Sequence, residues 1–472
     1  MDTLTPVGAA LRLIQPERGD FLLESVEGGE VRGRYSLLGL DPDLVFMAQG
    51  QDASINTEWR EDRAAFQQCR GTALDELRAL VARTRIDTPD ELPPALAFLV
   101  GYFGYETIAL AEDVPVAKGP GLGLPDMTFV RPTVLCVFDN LSDNMFCMAP
   151  VWPSGDDDFA LTAAEEAVRA TLARLAESEP QTERSDGLTE PSYTAHTDPA
   201  RYSEMVEAAK EYIRAGDIFQ VVLSQRFSTP FPLPPFALYR ALRRVNPSPF
   251  LFFLDLPDFA VVGSSPEILV RVRDGQVTIR PIAGTRPRGA SPQEDDANEA
   301  SLLADAKERA EHLMLLDLGR NDVGRVAAKD TVTVTDSFSV ERYSHVMHIV
   351  SNVVGMLDPE KDAVEALFAG FPAGTVSGAP KLRACEIIAE LEADRRGPYA
   401  GGVGYFAPDG SLDSCIVLRT AVVKDKMMHV QAGAGIVADS DAKYEQAECE
   451  AKAGALLAAA REAVRMAGGS GR

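Results

Sequence analysis

Cysteine is scarce and scattered. The 472 residues hold six, Cys69, Cys136, Cys147, Cys385, Cys415 and Cys449, and no C-x-x-C pair among them. That argues against a zinc site and against a disulfide framework, and it leads us to expect free thiols in a reducing cytoplasm. Basic residues are also short. Lys and Arg number 46 against 71 Asp and Glu, a net charge of -25. Nucleic acids and anionic membranes are met by basic patches, so neither is an expected partner. An anionic small substrate stays open, because a metal or a local Arg/Lys cluster reverses the local field. Long apolar runs are missing too. The most apolar early run, residues 95–104, is too short to span a bilayer and reads as a buried strand. The start, Met1-Asp-Thr-Leu-Thr-Pro, lacks the basic and apolar regions of a signal peptide.

What remains is an ordinary soluble composition, 46% apolar and 25% charged, on a chain long enough for two domains. The sharpest break is residues 176–200, rich in Glu, Ser, Thr, Pro and Asp and without apolar periodicity. It reads as a linker or exposed loop between an N-terminal domain, 1–175, and a second domain, 201–468. Strands are expected at 21–25, 35–40, 95–102 and 133–138, and helices at 73–84 and 160–176. Beyond the linker, Asp198-Pro199 starts a helix that Gly216 closes. Strands follow at 218–227, 250–254, 259–262, 268–273, 276–280, 403–406, 415–422 and 428–433, with helices at 299–318, 363–369, 381–391 and 442–467. Strands and helices do not alternate strictly, so an α+β fold is expected.

Two acidic ladders stand out. Glu445, Glu448 and Lys452 share one helix face, as do Glu308 and Glu311 on another. Two such helices suit a hard divalent cation such as Mg²⁺, although each pair alone is also what a solvated, ion-paired face looks like. Thr285 and several arginines sit in Arg280-Pro-Ile-Ala-Gly-Thr-Arg-Pro-Arg, a strand running into a turn. His345 and His348 would point to opposite faces of a strand, one towards a site and one into packing. Glu267 follows Gly263-Ser-Ser-Pro at a turn, where burial would make it a proton donor and exposure a bystander. Phe371-Pro-Ala-Gly-Thr-Val-Ser-Gly-Ala-Pro-Lys lacks the ending of a nucleotide P-loop but could cradle a carboxylate.

The order of the motifs is more specific than any one of them. Ile218-Phe-Gln-Val-Val-Leu-Ser-Gln, Gly263-Ser-Ser-Pro-Glu, Pro281-Ile-Ala-Gly-Thr-Arg, Asp317-Leu-Gly-Arg-Asn-Asp, Phe371 to Lys381, and Gly433-Ala-Gly-Ile-Val-Ala-Asp-Ser-Asp resemble the chorismate-utilising enzymes, over roughly 198–467. Within them the chain is similar to the anthranilate-forming branch. Leu22 to Ser25, Arg34-Tyr-Ser and Gly101-Tyr-Phe-Gly-Tyr-Glu resemble the regulatory region of that branch. The resemblance implies the family fold, with large antiparallel sheets and flanking helices, and conversion of chorismate and ammonia to anthranilate and pyruvate for tryptophan synthesis. It implies Mg²⁺ on Glu311 and Glu448, supported by Glu308 and Glu445. It places the enolpyruvyl carboxylate on Tyr399, Arg419, the backbone of Gly433 to Gly435, and Lys452. Thr285 becomes a substrate contact, Glu267 the acid for the departing hydroxyl, and His348 a proton-transfer group.

Two positions separate the branches. Gln220 stands where the water-using enzymes carry a lysine base, and Ala283 where the aminodeoxychorismate enzymes carry a nucleophilic lysine. Aminodeoxychorismate or aminodeoxyisochorismate synthases, or a silent tryptophan-binding relative, are the alternatives. No cysteine has the setting of a glutaminase nucleophile. The resemblance therefore implies a hetero-oligomer with a separate glutamine amidotransferase subunit. It also implies tryptophan as inhibitor, bound by Glu24 or a nearby carbonyl, Ser25, Pro249, Phe250 and Leu251. The competing reading of Leu22 to Ser25 is a buried strand.

Overall fold

A computed structural model describes residues 4–25, 33–152, 157–177, 189–343 and 346–468. His345 and residues 178–188 of the 176–200 segment lie outside them.

Two antiparallel sheets dominate, one of 11 strands and one of 12, with helices on their outer faces. The α+β expectation holds. Period-2 alternation builds the layers. Phe21, Leu37, Phe252 and Leu254 of the 11-stranded sheet share one core with Val45, Val100, Tyr102, Val130 and Val403 of the 12-stranded sheet. Their neighbours Leu22, Leu38, Leu251 and Phe253 face the other way, into a second core with the helices.

The expected strands appear as Phe21–Glu24, Tyr35–Leu40, Leu99–Phe103 and Val134–Asp139. They do not form a core of their own. Phe21–Glu24 pairs antiparallel with Phe250–Leu256, Leu22 opposite Phe253, and Leu99–Phe103 pairs with Gly402–Phe406. The 176–200 segment therefore does not divide two cores, since both sheets draw strands from each side of it.

Local signals set the helix ends. Asp198 caps Pro199–Ala215, and Gly216 ends it in the left-handed region at φ 85°. The single helix expected at 299–318 is two, Pro292–Ala304 and Ala306–Gly324. Asp305 breaks it, because its carboxylate accepts from the Lys307 and Glu308 backbone N–H groups at 2.9 and 3.2 Å and so starts a new helix. Ala306–Gly324 packs on the strands Ile282–Pro287 and Val346–Met356 of the 12-stranded sheet. Ala442–Ala467 packs on Met427–Ile436 of the 11-stranded sheet. No helix among the described residues is long and apolar enough to cross a membrane.

The chain crosses between the sheets at two adjacent corners. Phe259–Ser265 belongs to the 11-stranded sheet and Ile268–Arg273 to the 12-stranded sheet, with Pro266 and Glu267 between. Leu412–Ile416 and Thr420–Lys424 make the reverse crossing through Val417, Leu418 and Arg419. The corners are tied by the Ser264 N–H, which donates to the Arg419 carbonyl at 3.2 Å.

Candidate active site

Glu267 is held in the first corner and is 7% exposed. Burial pushes its carboxyl up to about 8, against the smaller opposing pull of Thr375, whose hydroxyl donates to Oε1 at 3.1 Å, and of the Arg419 charge. A carboxylic acid that keeps its proton at neutral pH is equipped to donate it. Thr375 was not singled out from the sequence. It lies in the Phe371 to Lys381 motif, whose one-turn helix Gly374–Val376 serves this acid rather than a nucleotide.

Arg419 also faces His348, lowering its tendency to protonate beyond what burial does. His348 and Thr285 are cross-strand partners, with Thr285 Oγ1 3.1 Å from His348 Nδ1. The same Nδ1 lies 2.9 Å from the Gly284 carbonyl. A carbonyl only accepts, so the proton is on Nδ1 and Nε2 carries the free lone pair. Gly284 is at φ 72°, where the strand register shifts, and a Cβ there would stand 3.1 Å from Glu308 Oε2. The turn thus seats the histidine strand against the first acidic ladder.

That ladder meets the second. Burial first, then the like charges of Glu308 and Glu448, raise the Glu311 carboxyl above its usual range. Glu445 is buried and is raised by burial, with Glu448 adding to it. Lys307 on the first helix pairs with Asp439, just before the second, at 3.3 Å. Glu308 accepts from Arg286 at 3.1 Å and Glu448 pairs with Lys452 at 2.7 Å. As placed, no three His, Cys, Asp or Glu side chains among the described residues converge on one point. The donor chemistry is nevertheless that of a hard cation: oxygen ligands only, with one carboxyl held against its neighbours' repulsion.

The glycine run closes the site. A Cβ on Gly435 would lie 2.6 Å from Gln220 Nε2, and one on Gly433 would lie 2.7 Å from the Tyr399 hydroxyl. Only glycine lets these side chains reach the strand. Gln220 Nε2 donates to Glu311 Oε1 at 3.3 Å, and Lys452 donates to the Gly433 carbonyl at 2.8 Å. Tyr399 is buried under the Arg396 guanidinium, 5.5 Å from its ring centre. Glu267, Thr285, Glu308, Glu311, His348, Tyr399, Arg419, Gly433, Gly435, Glu445, Glu448, Lys452 and Gln220 thus form one linked neighbourhood.

The residues expected around tryptophan lie elsewhere. Glu24 is opposite Leu251 in the strand pair, and Phe250 is opposite Ser265, two residues before Glu267. Leu251 is buried, and Pro249 precedes the strand. Leu22 to Glu24 is indeed a strand. The Glu24 carboxylate is already engaged, accepting from Arg243 at 2.9 and 3.1 Å and from the Tyr239 hydroxyl. A ligand ammonium there would be left to backbone carbonyls near Ser25.

A family model described as chorismate binding enzyme matches residues 20–458, taking in the N-terminal strands as well as the later motifs. The chain is 54% identical to anthranilate synthase component 1 of Cereibacter sphaeroides, over 98% of this chain and 93% of that one. It is 46% identical to the protein of the same name from Thermus thermophilus, over 97% and 96%. Among solved structures, anthranilate synthase component I from Streptococcus pneumoniae superposes with a TM-score of 0.80 at 36% identity, covering 97% of this chain and 98% of that one. The menaquinone-specific isochorismate synthase from Escherichia coli shares the fold, with a TM-score of 0.73 at 20% identity over 97% and 92%. The chain belongs to the chorismate binding enzyme family.

Proposed function

We propose that this chain is a lyase that converts chorismate and ammonia to anthranilate and pyruvate. The observation that carries the choice of nucleophile is Gln220. Its amide nitrogen is fixed on Glu311, while its buried Oε1 has no hydrogen-bond partner. An unpaired buried acceptor costs about 1–3 kcal/mol, and an ammonia N–H would satisfy it. The amide cannot deprotonate water, and Ala283 offers no nucleophile.

The chemistry follows from the groups in place. Ammonia held by Gln220 adds to the ring carbon, and the hydroxyl leaves as water with the Glu267 proton. The added nitrogen sheds one proton to solvent. Arg419, Tyr399 and Lys452 hold the enolpyruvyl carboxylate, Thr285 fixes the ring, and His348 Nε2 takes up a proton as pyruvate leaves and the ring becomes aromatic. Glu311 and Glu448, with Glu308 and Glu445 beside them, would hold Mg²⁺. When bound, that ion would anchor the ring carboxylate and draw electron density from the ring.

The relatives' name, component 1, implies a second component, and a glutamine amidotransferase subunit supplying ammonia is the partner this reading requires. Tryptophan acts as feedback inhibitor at the strand pair of Glu24 and Leu251, and the enzyme works in the cytoplasm. The test is direct. The isolated chain with chorismate, Mg²⁺ and ammonium should release anthranilate, read by its fluorescence and mass, and should release none with glutamine. Accumulation of a non-aromatic aminated product, or turnover on glutamine alone, overturns the reading.

A further inference from the structure

The N-terminal motif Gly101-Tyr-Phe-Gly-Tyr-Glu has no role in the chemistry described above, yet its second half lies against the turn that presents Tyr399. Strand Leu99–Phe103 pairs with Gly402–Phe406, Phe103 opposite Gly402. Beyond that pair the two segments part, one into the short helix Tyr105–Leu110 and the other back through Gly401 to Arg396. They stay in backbone contact. The Tyr105 N–H donates to the Gly397 carbonyl at 2.8 Å. A Cβ on Gly104 would stand 2.8 Å from that same carbonyl oxygen. Glu106 is 5% exposed and accepts from two consecutive backbone N–H groups, Arg396 on Oε1 at 2.7 Å and Gly397 on Oε2 at 3.0 Å. Successive N–H groups turned to one side make a nest for an anion. Here the anion is a side chain 290 residues earlier in the chain.

The turn does not hold its shape unaided. Gly397 is at φ 59° and Ala400 at φ 63°, on either side of Tyr399. A residue with a side chain keeps that left-handed conformation only where its surroundings enforce it. The Arg396 guanidinium lies over two rings, 4.6 Å from the centre of Tyr105 and 5.5 Å from that of Tyr399. Tyr105 thus backs the same cation as Tyr399, and Glu106 fixes the backbone from which Tyr399 projects. We propose that Glu106 is a positioning residue. By holding the Arg396 and Gly397 amides it sets the Tyr399 hydroxyl where it meets the enolpyruvyl carboxylate of chorismate. This rests on the reading of Tyr399 as a contact to that carboxylate. Both carboxylate oxygens accept, whereas an amide side chain has one accepting oxygen and an NH₂ that only donates. Glu106→Gln therefore releases one of the two backbone groups. The carboxylate on the substrate keeps its charge as ammonia adds, so a displaced Tyr399 weakens binding before and during that step alike, and the loss falls on KM.

The experiment is a double-mutant cycle on the full chain, with initial rates over chorismate at fixed ammonium and Mg²⁺. Tyr399→Phe removes the hydroxyl alone and should raise the chorismate KM about tenfold, the loss of one hydrogen bond to a charged group. Glu106→Gln should raise it to a similar extent, with kcat within about threefold of the parent and the ammonium KM unchanged. The double variant should bind chorismate no worse than Tyr399→Phe, because a ring without its hydroxyl leaves nothing to position. Gly104→Ala presses on the Gly397 carbonyl and leaves Glu106 in place. It should raise the chorismate KM in the same way, again without adding to Tyr399→Phe, and it serves if Glu106→Gln does not fold. A folded variant at either position with the parental chorismate KM, or with an effect that multiplies in full with that of Tyr399→Phe, overturns the positioning role and leaves Glu106 a tie within the fold. A parental chorismate KM in Tyr399→Phe overturns the reading of Tyr399, and the positioning role with it.

Discussion

Gln220, on the strand paired with the glycine run, meets Glu311 on the acidic helix, Nε2 to Oε1 at 3.3 Å. This contact fixes which end of the amide faces the reacting carbon. Replacing Gln220 with Leu removes the free acceptor together with the amide's bond to Glu311. The ammonium KM should rise about tenfold, the worth of one neutral hydrogen bond, with the chorismate KM little changed. Initial rates across an ammonium titration check this.

Glu267 should set the alkaline limb of activity. Its carboxyl is pushed up to about 8, so the protonated acid is lost as pH rises through that value, and kcat/KM should fall on the same curve. The sign carries to stability. A carboxyl raised above its unfolded value near 4.5 favours the fold fully below that pH, and the contribution declines as pH climbs to about 8. Glu267→Gln should flatten the alkaline limb and lower kcat by about 10²–10⁴.

Glu448→Gln should abolish Mg²⁺-dependent turnover and leave the fold intact. Glu448 is about one-third exposed, with its side chain at 36%, so the substitution buries no new polar group. Circular dichroism and melting temperature should match the parent. Isothermal titration with Mg²⁺ should show lost binding. Unchanged Mg²⁺ affinity would falsify the assignment of this ligand.

Ser25→Phe should relieve tryptophan inhibition with little effect on uninhibited kcat. The strand that carries residues 21–24 pairs with Phe250–Leu256 and is separated by it from Phe259–Ser265, the strand that leads to Glu267. Inhibition curves for the two proteins decide it, and unchanged tryptophan sensitivity means the inhibitor binds elsewhere.

Arg396→Met should destabilise the fold by about 3–5 kcal/mol, because it strands the Glu392 carboxylate in the core. Arg396 reaches Glu392 at 2.6 Å and the carbonyls of Val222 and Val376 at 2.7 and 2.9 Å, all buried. Urea unfolding monitored by fluorescence gives the value.

The helices were legible wherever local chemistry marks their ends, as at Asp198 and Gly216, and the 442–467 helix falls where its spacing places it. The break at Asp305 was not read, because an acidic residue inside an Ala- and Leu-rich run looks like one more exposed position until its caps are seen. Leu44–Gln49 and Met127–Arg131 escaped for a different reason. Each is buried on both faces for most of its length, and such strands lack the alternation that announces them. Glu308, Glu311, Glu445 and Glu448 were visible as helical spacing, but the mutual influence of Glu311 and Glu448 depends on the fold bringing two distant helices within electrostatic reach. Thr375 and the Gly284 carbonyl could not be assigned to Glu267 and His348 by spacing, since both contacts are long-range.

Strand Phe21–Glu24 must wait more than two hundred residues for its neighbour Phe250–Leu256, and Leu99–Phe103 waits some three hundred for Gly402–Phe406. During synthesis the N-terminal strands therefore emerge with unsatisfied edges, and neither sheet closes until nearly the whole chain has left the ribosome. Folding should be slow and late, and the nascent N-terminal half should call on chaperones to keep those edges apart.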